Sequence, residues 1–395
     1  MTQSRRLSGV ERLWLVAERL HSPFVNQMIV EGDGVPEANW QSVIENAAAM
    51  APMLRARLHG HLWRSRWIAD GPLPTVEIIA DSTWDGNGPA GAPFLDRTLD
   101  LRTGPACGVV VVPGDPTRII FRTHHALSDG RGTVLLAERF FAALRGDTIP
   151  NTPLGPENDY NLVTTHNLPT EKIPPSQSRA PQGDADHDQL TTTWFRVRIA
   201  GRASKLVPRL IVALAGIDPT PPDQPFWVIV PADMRRFEPD NISSANMTGM
   251  IRIPAHDLIK LPDPIGAISD HIRESLRSGA DAGIVRKAQF ARFLPIRFMA
   301  FLAKLDARRA LRQGRYGSSA IVSNVGMMDL TALTAPGFSP RHVYWVPPGN
   351  PGLPAFVGIS GDPDGVEVTA MVPTALASAE RNRILIESIE ALFSD

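Results

Sequence analysis

Phe121-Arg122-Thr123-His124-His125-Ala126-Leu127-Ser128-Asp129-Gly130 is the most informative stretch of this 395-residue chain. An apolar β-type run over 117–123 enters it. An amphipathic helix over 133–144 follows, with Leu135, Leu136, Phe140 and Phe141 apolar. Side chains alternate along a strand, so His124 and His125 point to opposite faces and cannot easily share one metal ion. One faces a core and the other is free to face a cavity. Asp129 comes after a short turn that can bring its carboxylate back near the histidines, and Gly130 permits a tight turn at the helix entrance. A histidine in a channel suits general-base work, because its ordinary pKa of ~6.5 lies near working pH. The same residues also fit a core histidine pair bonded to backbone.

Outward from this stretch, mixed strands and helices fill both halves of the chain. Ser8 and Glu11 have capping-box spacing for a helix over 8–20. A strand over 24–30 is expected to end at Gly32 and Gly34, and Pro36 to open a helix to about 50. Further β-type runs lie at 54–58, 62–68, 76–79 and 107–112. Residues 146–190 are rich in proline and poor in apolar clusters, which reads as a linker. After it, strands are expected at 191–199, 226–230, 247–253, 320–323, 343–346, 355–359 and 366–371, and helices at 203–215, 264–277, 296–312 and 378–393. This pattern predicts an α+β fold in duplicate: a lobe over 1–145, a linker over 146–190 and a lobe over 191–395.

Composition narrows the function. Lys plus Arg number 40 against 41 Asp plus Glu, a net charge of -1, which excludes a protein built to hold nucleic acid by its overall field. Cys107 is the single cysteine, so neither an intramolecular disulfide nor a multi-thiolate zinc site can form. No apolar run reaches the ~18–20 residues of a membrane-spanning helix. The N-terminus lacks a signal-peptide pattern, and a cytoplasmic protein is the expectation.

His124-His125-x-x-x-Asp129-Gly130 resembles the HHxxxDG signature of the CoA-dependent acyltransferase superfamily. Other segments are similar to that family too: Leu7-Ser8 with Glu11-Arg12, Pro52-Met53-Leu54-Arg55, Pro231-Ala232-Asp233-Met234-Arg235-Arg236 with Asn246 and Gly249, and Ser323-Asn324-Val325-Gly326. The DFGWG block of the plant branch is absent, so the chain looks closer to the stand-alone alcohol-acetyltransferase or polyketide-associated group. The resemblance implies two chloramphenicol-acetyltransferase-like lobes forming a pseudo-dimer with an interlobe tunnel. It implies an acyltransferase whose donor is an acyl-CoA or an acyl carrier protein and whose acceptor is a small-molecule alcohol or amine. His125 would be the general base. His124, Asp129, Gly130 and Arg235 would support it, with Asp129 paired to Arg235 in preference to Arg236. Ser323 and Asn324 would lie near the substrate channel. No metal and no resident cofactor are implied. A non-catalytic carrier-binding scaffold, and a hydrolase or cyclase on the same fold, are the alternatives.

Four other signals stand apart. Residues 286–315 carry nine Lys or Arg against Asp306 alone, interleaved with Phe290, Phe293, Phe298 and Phe301. They read either as a packed helix with a solvated basic face or as a contact for an anionic partner: CoA phosphates, an acidic carrier protein or a membrane surface. Gly358-Ile359-Ser360-Gly361 departs from the hydrolase elbow GxSxG at Asp362. His59 and His61 share one face of a β-type run, and Cys107 starts an apolar strand.

Overall fold

The computed structural model describes residues 3–151, 154–155, 163–169, 177–201, 204–217, 224–238 and 242–393. The first half contains β1 (Ser4–Arg6), α1 (Gly9–Leu20), β2 (Val25–Asp33), α2 (Trp40–Met50), β3 (Arg57–His59), β4 (Arg66–Ile68), β5 (Val76–Ile78), β6 (Cys107–Val112), β7 (Thr117–His124) and α3 (Gly130–Arg145). The second half contains β8 (Thr192–Ala200), α4 (Leu206–Ile217), β9 (Trp227–Asp233), β10 (Thr248–Pro254), α5 (Ala255–Leu258), α6 (Pro264–Ser278), α7 (Gly283–Ala288) and α8 (Ile296–Gln313). It closes with β11 (Ala320–Met327), β12 (Ser339–Val346), β13 (Phe356–Asp362), β14 (Gly365–Pro373) and α9 (Ala379–Glu390).

Two large sheets organise the molecule. One has the order β12-β2-β7-β6-β5 and the other β10-β9-β11-β13-β14-β8, beside a small sheet β1-β4-β3. Strand alternation explains how the sheets meet. In β2, β6 and β7, Met28, Val30, Val109, Val111, Ile119 and Phe121 join a core with α2 and α3. Their neighbours Ile29, Val110 and Ile120 face the other way, into a core shared with Trp194, Trp345, Phe356 and Met371. Buried charges also bridge the halves: Glu31 of β2 accepts from Arg118 at 2.8 Å and pairs with Arg196 of β8 at 2.9 Å. Arg196 continues to Glu367 at 2.8 Å.

Chain order and spatial order differ in one place. β12 lies in the first sheet, antiparallel to β2, with Val343 opposite Val30 and Val346 opposite Gln27. The sequence division placed it with the second lobe, and in space it closes the edge of the first.

Local expectations hold where capping is strong and shift where glycine or proline was given too much weight. The capping box forms: Glu11 N–H donates to Ser8 Oγ at 3.0 Å and Ser8 N–H to Glu11 Oε2 at 2.8 Å. Gly32 does not end β2, because a side chain there would meet Phe338 and Ser339, so glycine keeps the strand running. Pro36 does not open α2: Asn39 caps it, accepting from Ser42 N–H at 3.3 Å. The run at 54–58 divides into a 3₁₀ turn, Pro52–Arg55, and β3. The last helix stops at Glu390 and a 3₁₀ turn follows. Residues 152–153, 156–162 and 170–176 of the 146–190 segment, with residue 203 of the expected fourth helix, lie outside the described residues. Within the described part, Ser178 pairs with Tyr316 in an isolated bridge.

Candidate active site

β7 ends at His124, and the turn to α3 is fixed by backbone bonds. His124 N–H donates to Ala106 O at 3.0 Å and its carbonyl accepts from Leu127 N–H at 2.8 Å. His125 N–H reaches back to Phe24 O at 3.0 Å. The second half of the chain grips the same turn: Asn246 donates to His125 O at 2.7 Å and Ser128 Oγ to Ser244 O at 2.7 Å. Gly132 is the tightest point, since a Cβ there would lie 2.2 Å from Ser244 O.

The two histidines diverge, as alternation requires. His124 is fully buried; its Nδ1 accepts from Ala126 N–H at 3.0 Å and its Nε2 stands 3.5 Å from Glu18 Oε2. Burial opposes the Glu18 charge, yet hydrogen bonds and the charge from His124, with bonds from Ser22 and Phe24 N–H, hold its carboxyl below the usual range. His125 turns the other way, its ring stacked with Trp14 at 4.9 Å and tilted against Phe24 at 5.4 Å. His125 Nδ1 lies 3.2 Å from Ser128 O and 3.0 Å from the Asn26 amide nitrogen, which itself donates to Ser128 O at 2.7 Å. Burial pushes the imidazole down to about 4; the Ser128 carbonyl and Asp129 act against that shift, and His124 adds to it. The ring is therefore neutral at pH 7.

Asp129 does not return to the histidines. It caps α3, where Oδ1 accepts from Gly132 N–H at 2.7 Å, and it meets the two terminal nitrogens of Arg235 end-on at 3.0 and 3.2 Å. Met247 N–H and Thr248 Oγ1 donate to Oδ2 at 2.8 and 3.1 Å. Desolvation opposes ionisation, but the Arg235 charge and these bonds outweigh it and hold the carboxyl below its usual range. Arg235 also donates to the carbonyls of Ser243 and Ala245, both at 2.6 Å. Arg236 goes elsewhere, to Asp281 at 2.5 Å.

His125 opens on a narrow hollow between the lobes, walled largely by apolar side chains such as Trp14, Phe24, Ile229, Ile321, Trp345 and Phe356. A second, polar hollow of about 490 Å³ shares Asp129, Gly130, Pro231, Thr248 and Ser323 with it and adds Arg131, Arg235 and Asn324. A third, open groove is lined by Leu15, Glu18, Leu101, His124 and Ile296. Ser323 thus borders both interlobe hollows. Asn324 borders the polar one, and its Oδ1 accepts from Gly326 N–H at 2.8 Å. Gly130 is at the junction, where a Cβ would lie 2.9 Å from Val325 Cγ1.

The sequence reading did not single out Asn26 or the packing role of Gly132. Asn26 sits beside Val25, whose strand partner is His124; only the register of β2 on β7 reveals it. The weaker signals resolve plainly. Ser360 Oγ is buried mid-strand and donates to Val343 O at 3.0 Å, so no nucleophile elbow exists there. Cys107 is buried, and desolvation pushes its thiol up to about 12. His59 lies 3.6 Å from Asp70. Among the described residues, His342, Asp362 and Glu367 bring ligand atoms within 4.8 Å of one another, but both carboxylates are already paired with Arg198.

No family model and no curated protein sequence matches the chain. Solved structures do. Trichothecene 15-O-acetyltransferase from Fusarium sporotrichioides aligns with TM-score 0.64 at 12% identity, over 99% of this chain and 94% of that one. A variant of the starter condensation domain of rhizomide synthetase in complex with C8-CoA aligns with TM-score 0.64 at 15% identity, over 100% and 95%. Polyketide synthase associated protein 5 from Mycobacterium tuberculosis aligns with TM-score 0.61 at 14% identity, over 100% and 98%. At such identities the likeness shows the fold: from end to end, the chain carries the two-lobed α+β fold seen in these condensation domains and this acetyltransferase.

Proposed function

We propose that the protein is an acyltransferase that moves an acyl group from a thioester to a hydroxyl or amine, forming an ester or amide in natural-product or lipid biosynthesis. The observation that carries this reading is His125: a neutral, buried imidazole, held by its Nδ1 edge, on the wall of an apolar interlobe cavity. The donor is an acyl-CoA or a phosphopantetheine-linked acyl carrier protein. The thioester is already activated, so the reading calls on no metal and no resident cofactor.

With the proton on Nδ1, bonded to Ser128 O, Nε2 keeps its lone pair. It takes the proton from the acceptor O–H or N–H as that group attacks the thioester carbonyl. The carbon–sulfur bond then breaks as the oxyanion collapses, and the departing thiolate takes the proton from the imidazolium. No acyl-enzyme forms. Asp129, Gly130, His124 and Arg235 are positioning residues, because they fix the turn that aims the ring. The apolar cavity fits an acyl chain or an apolar acceptor, and Ser323 and Asn324 border the way in. A cytoplasmic location is part of this reading, and no described helix is long and apolar enough to cross a membrane. The basic segment 286–315 is the surface we assign to an anionic partner.

The test is thiol release from a panel of acyl-CoAs and acyl-loaded carrier proteins, with pooled alcohols and amines. Release should require an acceptor and fall by ~10²–10⁴-fold in His125→Ala. Release that survives the substitution would remove His125 as base. Release without an acceptor, yielding free acid, would make the protein a hydrolase.

A further inference from the structure

α8 carries two apolar stripes where a helix on a water-facing surface carries one. Ala300, Ala307, Ala310 and Leu311 face inward. Phe298, Phe301, Leu302 and Leu305, spaced i, i+3, i+4 and i+7, are 53, 59, 47 and 50% exposed on the outer side. The turn before the helix extends this face: Phe290 and Phe293 are 77 and 63% exposed.

These side chains are held outward. The buried Arg12 guanidinium donates to Ala291 O and Leu294 O, both at 2.7 Å, and so fixes the turn. It also donates to Leu62 O at 3.3 Å, which draws a second turn alongside. There Leu62, at φ 50°, and Trp63 are exposed as well, with Arg64 over the indole at 4.8 Å. Helical spacing places Arg297, Lys304 and Arg308 along one flank of the outer stripe. A pinned aromatic platform edged by cations is the composition of a surface that lies in a bilayer interface, with rings among the acyl chains and cations at anionic headgroups.

We propose that this face, formed by α8 and the turns at 62–64 and 290–294, seats the protein on an anionic lipid bilayer. A groove whose walls include both Ile296, the first residue of α8, and His124 would then adjoin the lipid and admit a lipidic substrate; this last step rests on the acyltransferase reading, and membrane seating does not. A second copy of the chain is a poor occupant, because the segment is almost wholly of one charge sign. An acidic carrier protein would satisfy the arginines yet leave the outward Phe and Leu stripe unexplained.

The experiment is co-sedimentation of the full chain with vesicles of phosphatidylcholine plus phosphatidylglycerol, and with phosphatidylcholine alone. Binding to the anionic vesicles is expected, weakening as salt rises. It should fall about tenfold or more in Phe298→Ser/Phe301→Ser and in Arg297→Glu/Lys304→Glu. All four side chains are exposed, and unchanged melting confirms the fold. His125→Ala should sediment like the parent, which separates this proposal from the catalytic one. Absence of vesicle binding, or binding untouched by the paired Phe substitution, overturns it. So does capture of an acyl carrier protein in its place, or a dimer that the same substitution dissolves.

Discussion

The turn between β7 and α3 is built on opposite terms at its two ends. At Asp129 every part of the carboxylate is taken, by Arg235, Gly132, Met247 and Thr248. At His125 only the Nδ1 edge is held, and the rest of the ring lies against Trp14, Phe24 and a cavity. A saturated charge stabilises and does no chemistry; a neutral ring with one edge left open can. On the acyltransferase reading, the difference separates the residue that holds the site from the residue that would act in it, though both belong to one short motif.

The largest effect should come from the saturated end. Asp129→Ala leaves the Arg235 guanidinium in a buried site without its main partner and strips the α3 cap. Breaking a buried pair in this way costs about 3–5 kcal/mol. A denaturant titration of the purified variant should show that loss, with acyl transfer falling alongside it. Asp129→Asn keeps a cap acceptor but not the charge and should fall between. A variant as stable as the parent would break the comparison at this end.

The open end should respond to pH instead. Burial lowers the His125 pKa to about 4, against about 6.5 in the unfolded chain. The ring stays neutral from pH 8 to about 5, so if it is the base, kcat/KM should be flat there and fall only towards pH 4. The stability sign follows from the same shift. As pH drops, the unfolded chain binds this proton first, so the group's contribution is full above about pH 6.5 and is lost on the way to about 4. His125→Ala should remove that part of the stability slope. A rate that halves near pH 6.5 would mean the ring is far wetter than its packing implies.

How much of this could be read from the sequence follows the same divide. Strands built on short β-branched and apolar runs are plain in the sequence: 107–112 matches β6, and 117–123, apolar at Ile119–Phe121, falls one residue short of β7. Ser8 and Glu11 announced α1 because capping is local chemistry. The HHxxxDG resemblance anticipated the Asp129–Arg235 pair, although nothing in the spacing of 129 and 235 could. Non-local packing was hidden. β12 crosses to the other sheet, Gly32 is a strand glycine because the Phe338 ring fills its Cβ space, and Asn26 reaches His125 only through strand register. The outer stripe of α8 was visible as a mixture of Phe and Arg, but which side it faced needed the packing of Ala300, Ala307 and Ala310.

Asn26 offers the smallest and sharpest test. Its amide lies 3.0 Å from His125 Nδ1 and 2.7 Å from Ser128 O, so two proton arrangements fit the same atoms. In one, Nδ1–H donates to Ser128 O, Nε2 is bare, and Asn26 acts by holding that carbonyl. In the other, Asn26 donates to Nδ1, the proton sits on Nε2, and the ring cannot accept one from an acceptor. The base role requires the first. Asn26→Ala then removes a positioning bond worth about 0.5–1.5 kcal/mol, so kcat should fall by roughly two- to tenfold while KM holds. Nitrogen NMR of the His125 ring in the parent protein should show a protonated Nδ1 and a bare Nε2 at neutral pH. A proton found on Nε2 would make both ends of the turn structural, and the chemistry would then have to come from another side chain on the cavity wall.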